Sequence, residues 1–584
     1  MPPFSPLALF DQFARGWRGA VLIAMVALTS SLFGAGRLPV MDRDEARFAQ
    51  ATRQMIETGD YVRIRVQDDD RNKKPIGIHW LQAASVRAFE PITHRLNEIW
   101  PYRLPSALGA VLAALAALWA GSALLAPRAA FLGAALFAAG MLLGFEGMTA
   151  KTDAVLVGFT TLAMAALARL YAGAKHPRAI ALVFWAALGC GVLIKGPMSP
   201  LVAALSLAAL WAWERRAAWM RPLLWWPGPL LATAIVAPWM IAIGMATDGQ
   251  FFVEALTGDL APKLTGGQEG HFAWPGYHLA LAPLLIFPAT FALPFAARLG
   301  WTALRAPHDA PAYAGLRFAI AWAAPSFVLF ELMPTKLAHY PLPIYPALAL
   351  LCGAGLIAAA RERWRAMLAI GLVLFALAGA AVVGLTAFGA NFIPGDGDAA
   401  LRRAISAALI GAGVLGAALV GLIIVKPPAA RTAIAVVCAL ALSYGVRERV
   451  APEARTLQLS SEAVAALTRA RLTPSQERHL WVAGYRETSL VFLTRTSIHL
   501  ADPSELGRGA QAGDALMIEG RVLPATEAAL AGRGLVFIRA EGPPVRGLNV
   551  GNGDRVALFV GTAQPRPPPP EPSGELAGDR PRNP

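Results

Sequence analysis

The sequence is short of charged residues and of cysteines. Asp, Glu, Lys and Arg make up only 15% of its 584 residues, whereas about a quarter of the residues in soluble globular proteins are charged. The three cysteines, Cys190, Cys352 and Cys438, all lie inside apolar runs and have neither the spacing of metal ligands nor that of a disulfide framework. These shortages argue against a soluble protein, a cysteine-based metal site and a disulfide-bonded fold.

Long apolar runs take the place of the missing charge. Hydrophobic residues make up 56% of the chain, and runs such as 104–125, 129–148 and 222–243 are long enough to cross a hydrocarbon core of about 30 Å. Apolar runs separated by short Pro, Gly or charged breaks predict a mainly α, polytopic transmembrane protein with about thirteen spans. The predicted limits are 19–37, 104–125, 128–148, 153–173, 178–195, 198–214, 222–245, 274–298, 315–333, 340–360, 365–388, 403–425 and 430–446.

Lysine and arginine are distributed unevenly over the connections between these spans. If the N-terminus is cytoplasmic, every inside connection is basic, whereas the outside connection 246–273 is acidic overall. This alternation follows the positive-inside rule and predicts a multi-pass protein of a bacterial inner membrane whose C-terminal segment is periplasmic. The net charge of +14 is then a topology signal spread over short loops, so we expect no binding of nucleic acid.

Two regions lie outside the predicted spans. The first periplasmic loop, about 38–103, follows the first span of a transmembrane catalytic domain, 1–446. Within this loop, the apolar stripe from Phe48 to Met55 predicts a helix over 44–58 that ends at Gly59. The second region, 447–562, mixes strand-like and helical runs and predicts a small periplasmic α/β domain. Residues 563–584 are rich in Pro and charge, which predicts a disordered tail.

Few lysines lie on the predicted outer side, and three of them are next to prolines. Lys74 precedes Pro75, Lys195 is followed by Gly-Pro, and Lys336 follows Pro-Thr. A charge near the bilayer is costly unless it is paired or solvated, so each lysine alone could simply snorkel from a helix end. Three such lysines together favour a site for a phosphate-bearing lipid headgroup.

Carboxylates are predicted at the same membrane depth. Asp44 lies at the start of the first outer helix, and Asp153 begins the fourth span. An acceptor hydroxyl needs a carboxylate that can take its proton, so both are candidate catalytic bases. A structural interpretation competes, because Asp42 and Glu45 have the spacing of a capping box and Asp153 could cap its own helix. Capping explains Asp42 and Glu45 better than it explains Asp44, whereas the two interpretations of Asp153 are evenly matched.

The stretch that follows Lys336 adds two further candidates. His339 and Tyr340 are predicted at the same outer interface. A tyrosine is ordinary at that depth, but a histidine so close to a lysine is less common. Both residues are therefore candidates for substrate binding.

Four stretches stand out in chain order across the membrane domain. They are Asp44-Glu45-Ala-Arg47-Phe48-Ala with Met55-Ile-Glu-Thr-Gly59-Asp60; Lys73-Lys74-Pro75-Ile-Gly77-Ile-His-Trp80-Leu-Gln82-Ala; Lys195-Gly196-Pro197; and Lys336-Leu-Ala-His339-Tyr340-Pro-Leu-Pro343. Their order and spacing resemble the integral-membrane GT-C glycosyltransferases, specifically the bacterial branch of the protein O-mannosyltransferase family that contains aminoarabinose transferase. The run 482–493 extends this resemblance into the C-terminal domain.

The resemblance implies a GT-C fold, a polyprenyl-phosphate sugar donor, an outward-facing active site and inversion at the sugar carbon. It places Asp44 on the family's first-loop catalytic carboxylate, Asp153 on its second-loop acidic residue and Lys74 on the residue expected to meet the donor phosphate. Glu45 and Arg47 would support them. In aminoarabinose transferases an acidic residue usually precedes the Lys-Pro pair, and here Lys73 stands there. We therefore expect no metal and no cofactor, and the identity of the sugar stays open.

The predicted function is inverting sugar transfer from a polyprenyl-phosphate donor to lipid A or another glycolipid at the periplasmic face. A protein O-glycosyltransferase with a Ser/Thr acceptor is the alternative in the same class. A lipid-linked-sugar flippase is a rival from another class, but its charges should lie near the bilayer midplane. A non-catalytic paralogue is a third. The predicted site residues are Asp44, Glu45 and Asp153 for catalysis, and Arg47, Lys74, Lys195, Lys336, His339 and Tyr340 for substrate and donor phosphate.

Overall fold

The structure of the chain is a computed structural model that describes residues 6–262, 272–362, 364–395 and 397–567. Contacts divide it into two units, Met1–Gln458 and Leu459–Pro584. The division falls after the predicted end of the membrane domain at 446, because the chain continues from 445 to 457 in short π and 3₁₀ turns that belong to the first unit. Each unit is described separately.

Apolar helices build the first unit. Among the described residues, nine helices are long and apolar enough to cross a membrane. They are Trp100–Leu124, Asp153–Tyr171, Pro177–Lys195, Pro227–Ala246, Pro311–Leu332, Leu342–Glu362, Arg365–Ala390, Asp398–Ile424 and Pro428–Glu453. The predicted polytopic helical class is confirmed, and the chain is a multi-pass membrane protein.

Four of the thirteen predicted spans differ from straight membrane-crossing helices. Trp17–Leu32 has 16 residues and Met198–Glu214 has 17. Pro127–Ala138 and Met141–Met148 meet at a bend of 51°, and Tyr277–Leu285 meets Ala289–Arg305 at 111°. Hydropathy does not detect these bends, because the breaks at Gly140 and Pro288 are themselves apolar while Gly and Pro interrupt helices.

The first outer loop begins with the predicted helix. It spans Asp44–Thr58 and ends at Gly59, whose φ of 74° is the left-handed conformation that favours glycine. The predicted apolar stripe from Phe48 to Met55 is buried, which confirms this helix. A short hairpin follows this helix, in which β1, Arg65–Val66, pairs with β2, Asp69–Asp70.

The rest of this loop and the remaining short segments complete the first unit. A second loop helix, Gly77–Thr93, carries the residues that follow the Lys-Pro pair. Short helices also occur at Pro6–Arg15 and Gln250–Glu254. Residues 263–271 of the predicted acidic outside connection lie outside the described residues.

The second unit is an α/β fold, as predicted. Its strands are β3 Leu480–Ala483, β4 His499–Ala501, β5 Ala515–Glu519, β6 Leu535–Arg539, β7 Val545–Leu548 and β8 Arg555–Pro565. The sheet order is β4-β3-β5-β8-β6, with β7 also paired to β8; β3 runs parallel to β4 and β5, and β8 runs antiparallel to its neighbours. Its helices are Leu459–Arg469, Thr488–Leu493, Pro503–Gly509 and Leu523–Ala531.

The boundary of the predicted tail lies slightly too early. The tail was predicted from 563, but β8 continues to Pro565 because its end pairs with β6 through Leu535 and Pro565. The predicted disorder of 568–584 lies outside the described residues.

Candidate active site

A buried ion pair anchors the start of the first outer loop. Arg103 Nε lies 2.8 Å from Glu45 Oε1, and its Nη2 lies 2.7 Å from Glu45 Oε2. Both side chains are 1% exposed. The same guanidinium donates to the carbonyls of Ala35 (2.8 Å), Leu38 (2.6 Å) and Pro39 (3.0 Å). Arg103 therefore fixes the chain between the first span and the helix Asp44–Thr58.

The position of Glu45 corrects two of its predicted roles. Besides Arg103, the backbone N–H groups of Met41 (2.9 Å) and Ala150 (2.8 Å) donate to its carboxylate. Four donors occupy two buried oxygens, so Glu45 has no lone pair left for a substrate and acts as a positioning residue, not a catalytic one. The capping box is also wrong, because the N-cap is Arg43 and not Asp42, and the Glu45 carboxylate reaches back to the N–H of Met41.

A cluster of buried charges lies beyond this pair, around the start of the helix Asp153–Tyr171. Lys151 Nζ lies 2.9 Å from Glu146 Oε2 and 3.8 Å from Asp153 Oδ2. Lys195 Nζ lies 2.5 Å from Asp153 Oδ1. His339 completes the cluster, with Nε2 3.5 Å from Asp153 Oδ1 and Nδ1 3.9 Å from Glu146 Oε1. We call these five residues the charge cluster.

Burial and neighbouring charges set the protonation of the charge-cluster residues that lie outside the membrane spans. Burial lowers the pKa of His339 well below its usual value. The carboxylate of Asp153 acts to raise this pKa, whereas the ammonium groups of Lys151 and Lys195 lower it further. Burial alone would lower the pKa of Lys151, but the carboxylates of Glu146 and Asp153 outweigh it and raise that pKa. A neutral histidine therefore stands among two lysines and two carboxylates.

Charged residues of the first loop influence the pKa values of the charge cluster. The charge of Asp44 adds to the raised pKa of Lys151, and the charge of Lys74 adds to the lowered pKa of His339. Arg47 Nη1 lies 4.0 Å from Asp44 Oδ1, and these two side chains are 40% and 57% exposed. Solvent-accessible charges of the first loop thus lie within electrostatic reach of the buried charge cluster.

The last predicted stretch divides between two places. His339 is part of the charge cluster. Tyr340 lies beside the cluster, because its ring centroid is 5.9 Å from Lys195 Nζ. Lys336 does not, because its Nζ donates to the carbonyl of Met333 at 2.5 Å. The ammonium is buried near His278 and has N–H groups beyond the one that Met333 accepts, so the assignment of Lys336 to the donor phosphate stays a prediction.

A neutral polar network packs behind the first loop. Thr52 Oγ1 donates to Gln82 Oε1 at 2.7 Å and lies 2.8 Å from His79 Nδ1. Because the hydroxyl proton is used by Gln82, His79 Nδ1 carries the proton that Thr52 accepts. Arg71 lies near this network, with its guanidinium 4.7 Å from the ring centroid of Phe48.

His79 gives the fold an acid-sensitive point. Burial lowers its pKa to about 3, and the charge of Arg71 adds to that effect. In the unfolded chain its pKa is about 6.5, so unfolding takes up a proton at any pH between these values. The stabilisation by neutral His79 is complete above about pH 6.5 and is lost as the pH falls towards 3, by about 1.4 kcal/mol for each pH unit.

We expect the variant His79→Gln to show a shallower loss of thermal stability between pH 6.5 and pH 4 than the wild type. Glutamine retains a donor for Thr52 but takes up no proton. Thermal unfolding in detergent at a series of pH values measures this. His308→Gln, at an exposed position, is the matched control and should keep the wild-type slope. An unchanged slope in both variants would contradict the assignment.

Sequence reasoning missed three of the residues that organise this site. Arg103 is the last residue of the predicted first loop, Glu146 lies inside the predicted span 128–148, and Lys151 lies in the connection before Asp153, but none of the three is among the predicted site residues. An ionisable residue inside a predicted span is itself a signal of function or pairing, and that signal identifies Glu146. Among the described residues, no group of three or more His, Cys, Asp or Glu side chains is arranged to hold a metal ion, and the metal-free site stays a prediction.

Comparison with known proteins agrees with the predicted family resemblance. Residues 73–241 match the family described as dolichyl-phosphate-mannose-protein mannosyltransferase. An undecaprenyl phosphate-alpha-4-amino-4-deoxy-L-arabinose arabinosyl transferase of Aeromonas salmonicida is 26% identical over 422 residues, 70% of this chain and 72% of the relative. Its namesake from Pseudomonas paraeruginosa is 27% identical and covers 59% of this chain and 61% of the relative.

Solved structures decide the fold. ArnT from Cupriavidus metallidurans, bound to undecaprenyl phosphate, superposes with a TM-score of 0.72 at 21% identity over 95% of this chain and 99% of that chain. The chain has the GT-C fold. The Archaeoglobus fulgidus oligosaccharyltransferase shares this GT-C architecture more distantly, with a TM-score of 0.50 at 11% identity over 89% of this chain and 72% of that chain. The predicted resemblance to GT-C glycosyltransferases of the aminoarabinose transferase type is confirmed.

Proposed function

We propose that the chain transfers a sugar, with inversion, from a polyprenyl-phosphate donor to lipid A or another glycolipid at the periplasmic face of the inner membrane. One observation carries this proposal. The four stretches that resemble the family are far apart in sequence, yet each supplies a residue that belongs to the charge cluster around Asp153 or lies within electrostatic reach of it: Asp44, Lys74, Lys195 and His339. The relatives named as arabinosyl transferases with an undecaprenyl phosphate sugar support the same donor class.

The donor phosphate is assigned to the accessible cations of the first loop. Arg47 is 40% exposed and Lys74 is half-buried, so both can meet a ligand. Arg47 lies beside Asp44, and Lys74 is within electrostatic reach of His339. A guanidinium and an ammonium together stabilise the negative charge that grows on the leaving phosphate in the transition state. The more deeply buried Lys195 holds Asp153 and so acts behind them.

Asp44 is assigned to the acceptor. Its side chain is 57% exposed, which leaves it free to receive a proton or a hydrogen bond, in contrast to Glu45 and Asp153. The acceptor decides how much base is needed. A lipid A phosphate is already ionised at neutral pH and needs positioning, whereas a sugar or Ser/Thr hydroxyl needs a base.

The periplasmic orientation rests on the distribution of basic residues. The connections on the side opposite the charge cluster carry them, for example Arg169, Lys175 and Arg178 between two successive spans. The positive-inside rule then directs the charge cluster outwards. A flippase is disfavoured, because the cluster lies at helix ends and in connections and not at mid-span.

Protein O-glycosylation is a second candidate, and the family description of a protein mannosyltransferase favours it. The two candidates share the donor chemistry and differ in the acceptor. Mass spectrometry of envelope lipids and envelope proteins from a strain that lacks this chain separates them: a missing sugar on lipid A or another glycolipid supports our proposal, and one missing from a protein supports this alternative.

A test of the site uses the purified protein, a labelled polyprenyl-phosphate sugar and the variants Asp44→Asn and Asp44→Ala. With a hydroxyl acceptor, both should lose about 100-fold or more of the transfer rate, because general base catalysis is removed. With a phosphate acceptor, Asn should retain more activity than Ala, since an amide can still position the acceptor. Asp69→Asn, at an exposed position in the same loop, is the matched control. Unimpaired transfer by both Asp44 variants would remove Asp44 from the mechanism.

A further inference from the structure

Two arginines on the outer side of the membrane are not explained by the charge cluster or by topology. Arg402 and Arg403 lie near the start of the helix Gly397–Ile424. The connection before this helix is on the side where lysine and arginine are scarce. The positive-inside rule therefore does not account for this pair.

The two arginines line a cavity of about 440 Å³. Its lining combines apolar side chains, among them Ala390, Ile393 and Ile410, with the polar side chains of Arg402, Arg403 and Ser406. The cavity is therefore amphipathic, with cationic groups next to an apolar wall.

The cavity lies on the same membrane face as the charge cluster. Val450 lines it, and the neighbouring Glu448 accepts a hydrogen bond from the backbone N–H of Gly34 at 2.6 Å. The next residue, Ala35, accepts one from Arg103, the partner of Glu45. A short chain of contacts thus links the cavity wall to the anchor of the active site.

The two guanidiniums differ in what they already bind. Arg403 Nη2 donates to the carbonyls of Ile393 (3.1 Å) and Pro394 (3.2 Å), which holds the preceding connection in place. Its buried Nε has no hydrogen-bond partner among the described residues. The Arg402 side chain is exposed and makes no hydrogen bond or ion pair within the part of the chain that the structure describes; only its backbone carbonyl is used, and it accepts from Ser406 Oγ at 2.8 Å. One exposed carboxylate, Asp398, lies a turn earlier, so the described local charge is positive.

The surface beside the cavity is suited to lipid chains. Ile410 is 71% exposed and Phe388 is 62% exposed, and both are on helices that cross the membrane. Apolar side chains exposed at that depth face hydrocarbon. A ligand that satisfies both parts of the cavity has a phosphate at one end and acyl chains at the other.

We propose that this cavity binds the phosphate headgroup of an anionic membrane lipid, with Arg402 as its main ligand and Arg403 as its support. The site is separate from the donor-phosphate site and does not depend on the proposed sugar transfer. Its contribution follows from charge, since a basic residue close to an anionic membrane surface strengthens lipid binding by about five-fold.

The experiment counts lipids bound to the full-length protein by native mass spectrometry after titration with phosphatidylglycerol or with zwitterionic phosphatidylcholine. We expect phosphatidylglycerol to be retained preferentially, and Arg402→Gln to weaken that retention about five-fold. The Arg402 guanidinium has no partner among the described residues, and its backbone bond to Ser406 does not depend on the side chain, so this change leaves the fold intact. Arg365→Gln, at an exposed position near the opposite end of the preceding span, is the matched control and should bind as the wild type does.

Three results would overturn the proposal. The first is equal retention of the two lipids by the wild type. The second is a loss in Arg365→Gln as large as that in Arg402→Gln, which would indicate a diffuse charge effect. The third is competition by free glycerol phosphate as effective as that by phosphatidylglycerol, which would make this a site for soluble phosphate. Retained discrimination by Arg402→Lys, which keeps the charge, would support the assignment.

Discussion

Replacing Arg103 by methionine is expected to destabilise the membrane unit by about 3–5 kcal/mol. The guanidinium holds Glu45 through two short contacts of 2.8 and 2.7 Å, and both side chains are 1% exposed. Removal of the cation leaves the Glu45 carboxylate buried without its charged partner. The carbonyls of Ala35, Leu38 and Pro39 lose their donor in the same change.

The size of the loss distinguishes a buried pair from a surface pair. Arg87→Met is the matched control, because Arg87 also contacts a carboxylate at 2.8 Å, that of Glu90, but the two side chains are 49% and 42% exposed. Exposed pairs contribute at most about 1 kcal/mol. Thermal or denaturant unfolding of both variants in the same detergent gives the comparison, and equal losses would show that the burial of Glu45 has no energetic consequence.

A double variant checks the mechanism of that loss. Neutralising the carboxylate as well, in Arg103→Met with Glu45→Gln, removes the unpaired charge and should recover part of the stability. The recovery should be incomplete, because the carbonyls at Ala35, Leu38 and Pro39 still lack the guanidinium. Glutamine also keeps only one of the two oxygens that accept from Met41 and Ala150, so no recovery would mean that these hydrogen bonds and the carbonyl contacts, and not the ion pair, fix the loop.

The sequence was sufficient for features that depend on local patterns. A stripe from Phe48 to Met55 followed by Gly59 predicts a helix over 44–58, and the helix Asp44–Thr58 forms as expected. The length and composition of the apolar runs predict a polytopic helical fold, which is also observed. The mixed strand and helix character of the C-terminal unit could be predicted, but the order of its strands could not, because β8 pairs with strands that are distant in sequence.

Features set by long-range contacts could not be read in this way. Glu45 has the spacing of a capping residue, and only the return of the chain at Ala150 and Arg103 reveals that its oxygens are occupied. Lys336 and Lys195 look equivalent beside their prolines. The fold directs one ammonium to Asp153 and the other to the carbonyl of Met333, a difference that no local pattern contains.

The second large effect is expected at Lys151, where one side chain serves both the fold and the site. Its ammonium lies 2.9 Å from Glu146 and 3.8 Å from Asp153, and it is within electrostatic reach of Asp44. Lys151→Met leaves Glu146 buried with no cation in contact, which should cost about 3–5 kcal/mol of stability. Sugar transfer should also fall, because the charge that faces Asp44 is lost.

A double variant separates these two roles of Lys151. Lys151→Met with Glu146→Gln removes both partners of the closer pair and should recover most of the stability, since Asp153 keeps Lys195 at 2.5 Å. Transfer should stay at least about ten-fold below wild type through kcat, with KM for the donor nearly unchanged, because Arg47 and Lys74 are left in place. Lys175→Met, at an exposed position, is the control for loss of a lysine. If the stable double variant transfers sugar at the wild-type rate, Lys151 is only a structural partner of Glu146, and the cation facing Asp44 has no part in catalysis.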